Sequence, residues 1–537
     1  MRQTKGAIGN LLNRYKAVLK KCNLLNTFGS LAVASMLVMG GAGVAQAKGT
    51  WTQADGQTGD WTAGTVITAP DTLTLSGTYD GFTSTIQDTA GVAAINYNTP
   101  GVRVESGTTF RNNSMEAEKG AGGGALKILT GTKIGDNVTF ENNTATKGGG
   151  WGGGAIYIKL TKGTTPSEYD TVTIGKNAHF IENSAKNVGG AIALEYGNLN
   201  IEEGAVFRGN SITAESGDIG GGAIAVWHDY TTNGEAGHSK LTVTGATFES
   251  NSANVSGGAI YNSDGDIDVS YSTFTGNKST SMGGAIVNNS GPQGDDKGYK
   301  GKVTIRHSVF NGNEAGNGGA VWQGSDGKTI IEDSQFINNT ATKSTHLFQQ
   351  GGAIVNADEM SILRTTFTGN EAGKTGGAIA NVNPSAGFTS GGLTLADVTF
   401  DGNKAGDKGG ALYNATNNSV TFNGINVFRN NTANSLANDI HNEGAATVAT
   451  GTTSLYSGYT QDSDSGSLTV KDGATLESLG TTMKINGGTA TFETGSTFVV
   501  NANSITESAP AVYVASKAKL DVKRRSKNYS IINITIS

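Results

Sequence analysis

Gly-Gly-Ala followed by Ile, Leu or Val occurs ten times in this chain of 537 residues, and each copy is preceded by Phe-x-x-Asn. The Ala falls at Ala125, Ala155, Ala191, Ala223, Ala259, Ala285, Ala320, Ala353, Ala378 and Ala411. The Phe series runs Phe110, Phe140, Phe180, Phe207, Phe248, Phe274, Phe310, Phe336, Phe367, Phe400 and Phe428, with successive members 26 to 41 positions apart. Self-similarity at that period means a repeat architecture, in which each unit buries its apolar face against the next. Eighty glycines and only 16% charged residues disfavour helix almost everywhere.

Within a unit the pattern is that of strands. Val303-Thr304-Ile305 before Phe310 and Leu241-Thr242-Val243 before Phe248 alternate with period two. The residue after each Ala is always aliphatic and is expected inside; the next, which ranges from Lys127 to Tyr157 to Trp322, is expected outside. One position further, Ile128, Ile158, Leu194 and Val226 give way to Asn262, Asn288, Gln323, Asn356, Asn381 and Asn414. These amides form either a hydrogen-bonded ladder between coils or a strand end at which Asn tolerates a left-handed turn. Burying four side chains at about 1.5–3 kcal/mol each cannot offset ordering about 30 residues at roughly 1–2 kcal/mol apiece, so units must stack. The expected fold is all-β, a right-handed parallel β-helix with the Phe rings stacked inside and Asn and Gly at its corners.

At the start, Arg2, Lys5, Arg14, Lys16, Lys20 and Lys21 precede an apolar run around Leu31 to Val38 and an Ala45-Gln46-Ala47 cleavage signal, the layout of an extended secretory signal peptide over 1–47. Its removal takes away the single cysteine, Cys22, together with six basic residues and no acidic one, so the net charge moves from −6 to −12. A cysteine-free chain suits unfolded export through an oxidising compartment, and an acidic one argues against a nucleic-acid partner. The regions expected to follow are a cap and first coils over 48–100, the repeats over 101–443, an irregular β-helical continuation over 444–522 and a tail over 523–537. Insertions at 161–170, 229–240, 290–300 and 383–391 fall at fixed phases and read as loops extruded from one or two edges, where solenoids carry their binding variation.

The interleaved Gly-Gly-Ala-Ile and Phe-x-x-Asn copies behind a signal segment resemble the passengers of chlamydial polymorphic outer-membrane proteins and related autotransporter adhesins, over residues 101 to about 443. The resemblance implies a surface-exposed or extracellular β-helical passenger that mediates adhesion and is exported through a C-terminal β-barrel in the outer membrane. Such a barrel needs roughly a dozen strands. Only 106 residues follow the last Phe-x-x-Asn, so the tail over 523–537 reads as truncated or frame-shifted, with a separate export partner as the other possibility.

Candidates for chemistry are few. Asp264, Asp266 and Asp268 alternate along one strand and could offer oxygen ligands to Ca²⁺; a solvated outer face explains them equally well. Gly369 to Thr375 has three residues between its glycines where a phosphate-binding loop requires four. His179, His228, His238, His307, His346 and His441 lack metal-ligand spacing. Trp151, Tyr157, Trp227, Tyr230, Tyr261 and Trp322 are the candidate binding residues, because aromatics at outward positions stack on sugars or anchor interfaces. The functional expectation is an adhesin-like, non-enzymatic passenger that presents loops to a host-cell or neighbouring-cell protein or glycan and needs no cofactor. A carbohydrate-active β-helix enzyme and a structural surface-layer component are the alternatives. Three or more Asp, Lys or Arg side chains within hydrogen-bonding reach on one face would favour the enzyme.

Overall fold

The computed structural model describes residues 50–53, 58–60, 65–67, 73–86, 89–95, 102–117, 121–145, 152–160, 171–213, 220–227, 239–263, 265–289, 301–324, 327–341, 348–382, 391–500, 512–523 and 535–536. The chain divides into Met1–Gln46 and Ala47–Ser537. The expected signal segment lies outside the described residues, and every described strand belongs to the second unit. Among the described residues there is strand but no helix.

Corresponding strands of successive repeats pair parallel and in register, and they form four sheets. Sheet I takes the alternating aliphatic strands, so that Asp266–Ser270, Lys302–Arg306 and Lys328–Glu332 lie side by side. Sheet II takes the Phe strands, with Phe274 opposite Phe310 and Phe310 opposite Phe336. Sheet III is made of two-residue strands after Phe-x-x-Asn, such as Thr340–Ala341 beside Glu371–Ala372. Sheet IV follows each Gly-Gly-Ala, with Val321–Gln323 beside Ile286–Asn288 and Ile354–Asn356. Sheet I holds eighteen strands, and from Leu73–Ser76 to Lys519–Val522 they make a column roughly 70 Å long at about 4.8 Å per step. The first strand, Thr50–Gln53, pairs antiparallel with Leu73–Ser76 on one side and with Thr58–Asp60 on the other, and so covers the Leu73–Ser76 edge. The architecture is a parallel β-helix.

All eleven Phe rings of the series are 0% exposed. Their centroids lie 4.5–4.9 Å apart with planes within 11° of parallel. That spacing is the strand spacing, so the backbone ladder sets the stack. Tyr79 extends the row by one ring, 4.9 Å from Phe110.

Left-handed residues bracket each Phe, two positions after it and three before, or four before in the case of Gly424 and Phe428. Asn137 (φ 56°) and Asn142 (φ 52°) flank Phe140, while Arg364 (φ 45°) and Gly369 (φ 64°) flank Phe367. These corners turn the following Asn into the interior, where Asn113 through Asn431 are all 0% exposed. Asn277 shows the arrangement: its Nδ2 donates to Asn313 Oδ1 at 2.9 Å and to the Phe248 carbonyl at 3.0 Å, while its backbone N–H donates to the same Asn313 Oδ1 at 3.0 Å. The pattern repeats from Asn113 to Asn431.

Because each amide passes one hydrogen to the oxygen of the next amide along the column, the last one needs an acceptor beyond it. Asn431 Nδ2 donates to Asp439 Oδ1 at 2.8 Å, and the Ser457 N–H donates to Asp439 Oδ2 at 2.6 Å. Asp439 occupies the Ala position of the altered final phrase, since Ile440 pairs with Leu412. Burial pushes its carboxyl up to about 6 from an ordinary 3.8. A raised folded-state pKa means stability that is fully present below pH 3.8 and lost as pH rises through 6. Acidifying from pH 7 to 5 is therefore expected to stabilise the coils around Asp439 by roughly 1–1.5 kcal/mol, read by hydrogen exchange in urea, and Asp439→Asn should abolish that gain.

The sheet IV amides end their strands, none with a left-handed φ, and they also bond between coils. Asn262 donates to Asn288 at 2.8 Å and Asn288 to Gln323 at 2.9 Å; Gln323 Nε2 then turns to the Gly324 carbonyl at 2.7 Å, and a second run links Asn356, Asn381, Asn414 and Asn442 at 2.7–2.8 Å. The glycines before them allow coils to touch: a Cβ on Gly284 would lie 2.1 Å from the Gly319 carbonyl oxygen, and Gly283 sits at φ 57°. Sheet III ends where Thr432–Ala433 meets Leu436–Ala437 antiparallel. Beyond it two sheet I steps shorten to 22 residues, Ala445 opposite Ser467 opposite Thr489, because the coil has lost one side.

Candidate binding surface

The sheet IV residues expected to face outward form one continuous register row: Tyr157, Ala193, Ala225, Tyr261, Val287, Trp322, Val355, Ala380 and Tyr413. They point away from the main core, but the expectation that the aromatics among them are exposed is corrected. Tyr157, Tyr261 and Trp322 are 2%, 4% and 5% exposed and belong to apolar clusters of their own. The cover comes partly from the chain leading into Gly-Gly-Ala. A Cβ on Gly220 would meet the Tyr261 ring at 2.7 Å, and Met282 packs against the same cluster. Tyr157 donates its hydroxyl to Glu195, which Lys159 also engages, and Lys127 sits 5.5 Å from the Tyr157 ring centre. Trp227 is half-buried beside Tyr157, their rings 6.4 Å apart. Trp151 and Tyr230 lie outside the described residues. The row is a second apolar layer that braces sheet IV.

Asp266 and Asp268 do share the outer side of one sheet I strand; Asp264 lies outside the described residues. Asp268 accepts from Arg306 at 3.3 Å, and the same guanidinium reaches Glu332 at 3.1 Å. Asp266 accepts the Lys302 N–H at 3.3 Å. The Arg306 guanidinium is shared between Asp268 and Glu332, and among the described residues no three acidic, His or Cys groups converge as a metal site.

At its far end the sheet IV row meets a polar network on Glu443. Lys408 Nζ donates to it at 2.7 Å, the Tyr413 hydroxyl at 2.9 Å and His441 Nε2 lies at 3.3 Å, while the same Nε2 is 3.4 Å from Asp462. The hydrogen bond with His441, followed by those from Lys408 and Tyr413, holds Glu443 down at about 2. A carboxylate held that low is a poor general base near neutral pH. The only strongly raised carboxyl among the described residues, Asp439, is 0% exposed and capped by two donors.

Five segments, 137–159, 245–263, 271–289, 364–382 and 397–415, match the Chlamydia polymorphic membrane protein repeat. The chain carries that repeat. In this fold each matched segment runs from the left-handed corner before Phe, through sheets II and III, to the end of the sheet IV strand. Sheet I strands and the insertions at 161–170, 229–240, 290–300 and 383–391 lie between matched segments or repeats, and every one of those insertions joins sheet IV to sheet I. No curated protein and no solved structure matches the chain. Among the described residues no helix is long and apolar enough to cross a membrane.

Proposed function

We propose that this chain is the passenger of a surface-displayed adhesin, a stiff β-helix that holds insertions out to a host-cell or neighbouring-cell ligand. The repeat and the fold fit a surface autotransporter passenger. The observation that carries the adhesive reading is the division of labour within a repeat. Between the Phe corner and the amide rung, the inward side chains are consumed by stacking and by ladders, whereas segments of unequal length enter only between sheets III and IV and between sheets IV and I. Specificity in such a solenoid resides in those segments. Export through an outer-membrane barrel and binding without a cofactor belong to this reading. The Glu443 network is tied up in its own ion pairs, which supports a binding role over polysaccharide cleavage.

Beads coated with the full chain should adhere to epithelial cells. Replacing 161–170, 229–238, 290–300 and 383–390 each by Gly-Asn should lower adherence about ten-fold while leaving the column protease-resistant. Undiminished adherence by that variant would overturn the reading.

A further inference from the structure

Between sheets I and II each coil turns through the left-handed residue three before its Phe. The N–H of that residue donates to the carbonyl just before the same corner one coil on: Tyr271 to Arg306 at 3.1 Å and His307 to Glu332 at 3.1 Å. The resulting row runs from Gly107 through Asn137, Asn177, Gly204 and Gly245, and then carries Tyr271 (φ 53°) and His307 (φ 48°). Gly, Asn, Asp and His are what a left-handed corner selects; a bulky Tyr is what it selects against. A Tyr placed against the backbone's preference at an exposed corner calls for a reason outside the fold.

The side chains supply one. The Tyr271 and His307 rings stack with centroids 4.8 Å apart and planes 15° from parallel, and Tyr271 is 65% exposed. His307 backs one face of Tyr271. The other face looks along the column over Gly245, which has no side chain, toward Gly204 one coil further. Two coil steps, about 9–10 Å, separate the level of Tyr271 from that of Gly204. With ring contacts at about 3.5–4 Å, that slot admits one ring. On its far side stands Glu203, whose Cβ would lie 3.2 Å from a Cβ on Gly245, paired with Lys176 at 2.6 Å. Both of those side chains are more than half exposed.

The geometry points to a carbohydrate-binding site at this corner: the open face of Tyr271 receives the C–H face of a pyranose ring seated over Gly245, and Glu203 and Lys176 meet its hydroxyls. A single aromatic face among solvated ion pairs suits a ligand that carries both an apolar face and a hydroxyl rim. A protein anchor would need a desolvated apolar pocket instead. The site is separate from the insertions proposed to carry cell adhesion.

Saturation-transfer NMR of the full chain with chitotriose and with cellotriose tests it. Wild type is expected to transfer saturation to pyranose C–H protons, and Tyr271→Asn and Gly245→Asn are each expected to weaken binding about ten-fold. Both variants install the residue that Asn137 and Asn177 already place in this row; Tyr271→Asn should keep the fold and resist urea better than wild type, and Gly245→Asn, whose Cβ would lie 3.2 Å from that of Glu203, is read only with its circular dichroism matched to wild type. The variant with shortened insertions should bind the sugars as wild type does, which separates this site from the adhesive reading. No transfer to either sugar from wild type, wild-type binding by both Asn variants, or loss of sugar binding on shortening the insertions overturns the assignment. So does a Tyr271→Asn variant that loses cell adherence where wild type binds no sugar, since that result marks a protein anchor.

Discussion

Phe310→Ala is expected to destabilise the coils on both sides of it by about 3–5 kcal/mol, the cost of emptying a fully buried aromatic site. Phe310 is 0% exposed and lies between Phe274 and Phe336 at 4.7 Å on either side, so the cavity interrupts a continuous stack. Because units in a solenoid are coupled through their nearest neighbours, the damage should be local. Limited proteolysis should open the chain between about Phe274 and Phe336 first, while coils around Phe140 and Phe180 keep their hydrogen-exchange protection. Uniform loss of protection along the whole column would contradict this picture of neighbour coupling.

The amide ladder should be nearly as sensitive. Asn313→Ala leaves the Asn277 backbone N–H and one hydrogen of the Asn277 amide without an acceptor in a dry interior. At about 1–3 kcal/mol for each unmet group, the loss is expected to be about 3–5 kcal/mol. Asn313→Asp keeps those acceptors but turns a carboxylate oxygen toward Asn339 Oδ1 and the Phe274 carbonyl, where the native amide donates at 2.9 and 3.0 Å. That variant should be at least as unstable as Asn313→Ala at pH 7 and partly recover at pH 4, where protonation restores a donor. Urea denaturation of both variants at the two pH values distinguishes lost hydrogen bonds from lost volume, since Asn313→Ala should show no such recovery.

The Phe stack and the sheet IV amides were open to sequence reading because stacking demands the same chemistry at the same phase of every coil, and a repeated demand leaves a repeated residue. Whether Tyr157, Tyr261 and Trp322 meet solvent was not. Alternation tells which side of a strand a residue takes, but what lies over that side depends on where the chain entering Gly-Gly-Ala is laid down, as Gly220 against Tyr261 shows. Asp439 stands out in sequence only as a broken phrase. Its acceptor role follows from the direction in which the Asn113 to Asn431 amides donate, which no pattern of residue types encodes. Tyr271 was missed although a signal exists: aligned three before each Phe from Gly107 to Asp397, it is the one Tyr in a column otherwise made of Gly, Asn, Asp, His307 and Arg364.

The central claim is that consecutive repeats lie one strand step apart with like residues opposite. With Cys22, the only cysteine, replaced by Ser, Thr275→Cys and Asn311→Cys place nitroxide labels on outer positions that face each other across one step. The pair is expected to give an electron paramagnetic resonance spectrum strongly broadened by dipolar coupling, whereas Thr275→Cys with Ile337→Cys, two steps apart, is expected to give a weaker effect. A Thr275/Asn311 spectrum equal to the sum of the two singly labelled chains would contradict in-register stacking.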